Sequence, residues 1–146
     1  MRLSDLASKD RWLWHVIRSQ DLPVVTADGI VPLTGDTFLV ETRKAAFPGD
    51  GRTVLRIDRR AINVKRLHRV PEWSAWVSGR VEDLPQALIR YWQRVALVGE
   101  DTSRRALRTQ LARVETLWRY DGIIKAEAIA ALDRCGLYLR LKGYQL

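Results

Sequence analysis

The spacing of apolar residues changes period twice along the chain. Over Ser4 to Gln20, Leu6, Leu13 and Ile17 fall at i, i+7 and i+11, which is one face of a helix. Ser4 or Ser8 is available as N-cap and Pro23 as a stop. Trp12 and Val16 add a second apolar face, so this helix is expected to be covered on more than one side. Trp12 and Trp14 fit core packing better than a stacking platform for bases, because their neighbours are aliphatic.

From Val24 to Asp58 the period becomes two. The segments Val24 to Thr26, Gly29 to Leu33, Thr37 to Thr42 and Thr53 to Asp58 are short and rich in Val, Ile, Thr and Phe. Asp28-Gly29, Gly35-Asp36 and Pro48-Gly49-Asp50-Gly51 separate them, and each is a turn signal. The pattern predicts a small antiparallel sheet with a hairpin between Thr37 and Asp58. In its last strand Leu55 and Ile57 face a core while Arg56 and Asp58 face the other way.

Ala61 to Val70 fits a helix capped by Asp58 that buries Ala61, Val64 and Leu67. It also fits a strand with Ile62 and Val64 in the sheet; the helix is the preferred reading. Beyond Gly79 three helices are predicted. The first has Asp83 as cap, Pro85 in its first turn, a stripe of Leu88, Trp92 and Val95, and Gly99 as its end. The second opens at Thr102 or Ser103, carries Leu107, Leu111, Val114 and Trp118, and stops at Asp121-Gly122. The third runs from Ile124 to Cys135 with Ile129 and Leu132 inward. Leu137 to Lys142 alternates well enough to add an edge strand or to prolong that helix. The expected fold class is α+β: one domain over residues 1–146, with an N-terminal helix, a small antiparallel sheet and a C-terminal three-helix region.

Composition narrows the class. A chain of 146 residues with 47% hydrophobic content can bury a core without staples. Cys135 is the lone cysteine, and with only His15 and His68 beside it no structural metal or cofactor is expected. No apolar run is long enough to cross a bilayer, and the start MRLSDLASKD mixes charges where a signal peptide needs an apolar core. The expectation is a soluble cytoplasmic protein with no membrane partner.

Charge adds the functional reading. The net charge is +8, and the segment Arg43 to Arg69 holds nine basic residues against Asp50 and Asp58, so seven of those eight charges sit there. Arginine outnumbers lysine 20 to 5, and its planar guanidinium suits bidentate contact with phosphate and guanine. A folded basic edge of this kind predicts a non-catalytic accessory or regulatory protein that binds nucleic acid, DNA ahead of RNA. Arg52, Arg56, Arg59, Arg60, Lys65, Arg66 and Arg69 are the candidate phosphate contacts, with Arg104 and Arg108 as a second rim. Protein assembly, with a partner protein or a second copy, is the alternative; six Trp leave room for such an interface.

Two further patterns bear on function. The predicted helix from Thr102 to Tyr120, followed by Gly122 and the Ile124 helix, resembles a helix-turn-helix in outline, though its second helix is poor in base-reading residues. Asp28, followed by Phe38-Leu39-Val40-Glu41-Thr42-Arg43-Lys44, resembles the layout of restriction-endonuclease-like nucleases. The resemblance implies a strand pair whose carboxylates, Asp28 and Glu41, hold a divalent metal, with a basic residue on the reacting phosphate. It departs from that layout in lacking a Pro before Asp28 and in placing Arg43, with Lys44 next to it, where the family has Lys.

Overall fold

The computed structural model describes residues 11–32, 36–42, 49–70, 73, 76, 86–96, 100–114 and 116–142. Trp12–Arg18 is a strand, β1, and it lies at the centre of the fold. The N-terminal helix is therefore corrected: positions 12–18 are extended, and the expected residues before 11 lie outside the described ones. Leu13 and Ile17 are as compatible with a two-residue period as with a helical one. β-branched and aromatic neighbours, Trp12, Trp14, Val16 and Ile17, decide for the strand.

The other strands are β2 (Asp36–Val40), β3 (Arg52–Asp58), β4 (Leu67–Arg69), β5 (Leu117–Asp121), β6 (Ile129–Leu132) and β7 (Tyr138–Arg140). They form one antiparallel sheet in the order β4-β5-β2-β1-β3-β6-β7. Among the described residues three α-helices accompany them: α1 (Leu22–Asp28), α2 (Gln86–Ala96) and α3 (Glu100–Leu111). On one face, Val16, Val40, Val54 and Leu117 are buried beneath Leu88, Ile89 and Trp92 of α2 and Leu107 and Leu111 of α3. On the other, Leu13, Leu39, Leu55, Ile57, Trp118 and Tyr120 are covered by Val25 of α1, by Ile30 and Ile124, and by the chain crossing from β3 to β4. Alternation along the central strands thus feeds two cores rather than one core and one wet face.

Several expectations change with this topology. β2 and β3 are present but do not form a hairpin, because β1 lies between them. Val24 to Thr26 belongs to α1, which Gly29 ends at φ 77°, where the Ile124 carbonyl leaves no room for a Cβ. Of the Gly29 to Leu33 strand, only the Ile30 to Ile124 bridge forms among the described residues. Asp58 does cap, accepting the Arg60 amide at 3.0 Å, but the helix stops after one 3-10 turn (Arg59–Ala61). Asn63 caps a second such turn, and Leu67 to Arg69 then pairs with β5.

The C-terminal three-helix region is also corrected. The helix carrying Leu88, Trp92 and Val95 is present as α2. The second ends at Leu111; Trp118 is buried as predicted, but from strand β5. The third does not form: Ile129 to Leu132 is β6, pairing with β3 across Leu55 and Ala131, Arg56 and Ala130, and Ile57 and Ile129. Alanine favours helices in isolation, yet a sheet position between large neighbours rewards a small side chain more. The tail supplies β7 as the sheet edge beside β6. Among the described residues no helix is long and apolar enough to cross a membrane.

β1 is held unequally on its two sides. It pairs with β3 from Trp12↔Asp58 to Arg18↔Arg52, but with β2 only at Trp14↔Val40. Past that point the two strands diverge, and side chains take over the freed carbonyls. The His15 Nδ1–H donates to the Phe38 carbonyl at 2.8 Å, and the Tyr91 hydroxyl donates to the Val16 carbonyl at 2.6 Å. The two rings stack at 4.8 Å, so α2 is pinned to the split by the pair that fills it.

Burial lowers the His15 pKa from 6.5 to about 4, against the opposing effect of its bond to Phe38. The unfolded chain takes up this proton near 6.5 and the folded chain only near 4, so the contribution is intact above the first value and lost as pH falls towards the second. A loss on the order of 3 kcal/mol is expected across that window. Urea denaturation at about pH 7 and about pH 4.5 should show the decline in the parent protein and a much flatter response in His15→Gln. Equal declines in both would remove His15 as the cause.

Candidate nucleic-acid interface

Cross-strand register brings one set of basic and aromatic side chains together. Trp12 and Trp14 of β1 lie opposite Asp58 and Arg56 of β3; Arg56 lies opposite Ala130 of β6, and Ala130 opposite Arg140 of β7. These residues share the helix side of the sheet, at the end opposite to Arg52 and Arg18. Ala130 is too small to fill the space between the two arginines. A cleft of about 460 Å³ remains, lined by Trp12, Arg56, Ala130, Tyr138 and Arg140, with the carboxylates of Asp58 and Glu127 also on its wall.

Arg56 is the centre of this cleft. Its guanidinium carbon lies 3.8 Å from the Trp12 ring centroid and 4.2 Å from that of Tyr138, so two aromatic rings hold it. Tyr138 is in turn fixed by Trp14, whose Nε1 donates to the phenol oxygen at 2.8 Å. Arg11 lies over the same Trp12 ring at 4.2 Å and pairs with Asp58 at 3.3 Å. Arg60 also pairs with Asp58 at 3.3 Å, so that carboxylate is shared by two other arginines.

The Arg56 Nε is buried and has no hydrogen-bond partner. Desolvation is the main influence on the group and lowers its pKa; the Arg11 charge acts in the same direction, while Tyr138 and Asp58 oppose it. A guanidinium stays charged regardless. Stacked and partly desolvated, without a dedicated carboxylate, it is a cation whose energetic deficit an incoming anion would relieve.

The remaining basic candidates do not join this cluster. Arg59 and Arg69 both lie over Trp118, at 4.8 and 5.2 Å, on the opposite side of the sheet. Trp118 Nε1 donates to Glu41 at 3.1 Å. Arg66 donates to the Asp121 carbonyl at 3.1 Å, and Lys65 is exposed on the turn capped by Asn63. Arg52 is four residues from Arg56 along β3, about 13 Å, and lies 5.8 Å from the Trp92 ring. Arg108 is half-buried on α3; the side chain of Arg104 lies outside the described residues. Arg119 is in β5 and pairs with Asp36 at 3.6 Å. With β5 and β6 where helices were expected, the helix-turn-helix outline does not form.

The nuclease resemblance does not find its strand pair. Asp28 closes α1, exposed, and Glu41 follows β2 with the Trp118 indole as its partner. Arg43 and Lys44 lie outside the described residues, and among the described ones no group of three or more His, Cys, Asp or Glu could hold a metal ion. Arg11, Tyr138 and Arg140 were missed as site residues because only β-pairing across the chain brings them to Arg56. No protein-family model matches the chain, and no curated protein matches it.

The stack is testable by its coupling. Trp12→Ala and Arg56→Met should each destabilise the protein, and the double variant by less than their sum. A coupling of about 0.5–2 kcal/mol is expected from chemical denaturation. A coupling of zero would mean that Trp12 does not hold Arg56.

Proposed function

We propose that this is a cytoplasmic nucleic-acid-binding protein, DNA ahead of RNA, acting through a rigid basic face rather than by catalysis. Arg56 carries the reading. An arginine held between two aromatic rings, lacking a dedicated anion and opening on a cleft beside Arg140, is suited to a backbone phosphate. Arg11 and Arg60 flank it and raise the local potential, while Arg59, Arg69 and Lys65 extend positive charge to the other side of the sheet. Preformed stacking lowers the ordering entropy that binding must overcome. A net charge of +8 supports the long-range attraction.

A protein partner on β7 is the second reading. β7 is a sheet edge, and Leu137 and Leu139 are 61% and 55% exposed there.

Fluorescence anisotropy with labelled duplex DNA, single-stranded DNA and RNA of one sequence would separate these readings. Nucleic-acid binding predicts that log affinity falls linearly with log salt, by roughly 0.9 per phosphate contact on duplex DNA. Arg56→Gln should weaken binding to every sequence alike and reduce that slope by about 1. Affinity that ignores salt, or an Arg56→Gln protein that binds like the parent, would overturn the assignment. A stable complex that survives nuclease treatment and is lost in Leu139→Lys would favour the edge.

A further inference from the structure

The split between β1 and β2 opens into a second cavity, separate from the Arg56 cleft, of about 400 Å³. That volume is within the range of small-molecule sites. Ile17, Val25, Ile30, Phe38, Ala87 and Val95 make its walls apolar, and Val24 and Val31, 58% and 54% exposed, sit at its boundary. Apolar surface left open beside a preformed cavity gains from any apolar body that covers it.

Two polar groups within the lining require more than an apolar guest. Thr37 is 4% exposed, yet its Oγ1 is buried without a hydrogen-bond partner. His15 gives its Nδ1–H to the Phe38 carbonyl, which leaves Nε2 as a lone-pair acceptor in the neutral ring. Neither wall residue offers a charge. The cation is on the rim: Arg18 and Arg94 share the carboxylate of Asp21, at 3.0 and 3.3 Å, and the second carboxylate of the lining, Asp36, is taken by Arg119 at 3.6 Å, so three arginines face two acids. Both arginines line the cavity.

We propose that this cavity is a binding site for a small aromatic carboxylic acid whose ring carries an N–H or O–H donor. The ring lies against the apolar walls, its donor satisfies His15 or Thr37, and its carboxylate meets the Arg18 and Arg94 rim. The site stands on its own, whether or not the basic face binds nucleic acid.

Three probes of matched shape test it by calorimetric titration near neutral pH: indole-3-acetate, with donor and acid; 1-naphthylacetate, with acid only; and indole-3-ethanol, with donor only. Indole-3-acetate should bind saturably, with each control about tenfold weaker. Arg94→Gln should bring indole-3-acetate to the level of indole-3-ethanol without changing the latter. Ala87→Phe, which fills the cavity from α2, should abolish binding of all three; if that variant melts early by circular dichroism, Arg94→Gln on the exposed rim decides alone. Absence of saturable indole-3-acetate binding below about 5 mM, equal affinity for the three probes, or no effect of Arg94→Gln would overturn the proposal.

Discussion

The ladder between β1 and β3 is the constraint on which the rest of the structure depends. It aligns Trp12 and Trp14 with Asp58 and Arg56 and so builds the cleft. It also fixes β1 so firmly on one side that the strand can leave β2 on the other. The lost β1–β2 rungs do not leave bare carbonyls where His15 and Tyr91 reach in, and their stacked rings join the split to α2. Both candidate sites are thus consequences of one strand with unequal neighbours.

Among the described residues, aromatic rings position as many arginines as carboxylates do. Arg11 and Arg56 lie on Trp12, Arg56 on Tyr138, and Arg59 and Arg69 on Trp118. A ring positions a guanidinium without neutralising it, whereas a carboxylate does both. The basic segment therefore keeps its charge while losing its freedom. At Asp58 and at Asp21 one carboxylate serves two arginines and charge is left over.

Much of the local pattern was legible in the sequence, and its long-range assembly was not. The burial of Leu55 and Ile57, the α2 stripe and the strand character of Thr53 to Asp58 follow from period alone. Leu13 and Ile17, four apart, satisfy a helix and a strand equally, and Trp118 continues the helical spacing from Leu107 and Leu111 although the chain turns extended before it. Ala130 and Ala131 reverse their intrinsic preference because of what Leu55 and Arg56 require opposite them. Arg56 was recognisable as an outward cation on β3. Its companions were not, since Tyr138 is far off in the chain and meets it only through β6 and β7.

The hydrogen bond from Trp14 to Tyr138 spans 124 residues. Contacts of such separation give little return until most of the loop entropy between them has been met, so they act against fast folding. During synthesis, β1, β2 and β3 emerge first, but β2 lacks its β5 neighbour and β3 its β6 neighbour until the last quarter of the chain is made. The Arg56 cleft is closed by β7, the last of the described strands. A ribosome-bound chain therefore carries its cationic segment long before it carries the finished cleft, and only the completed protein presents that charge in one fixed orientation.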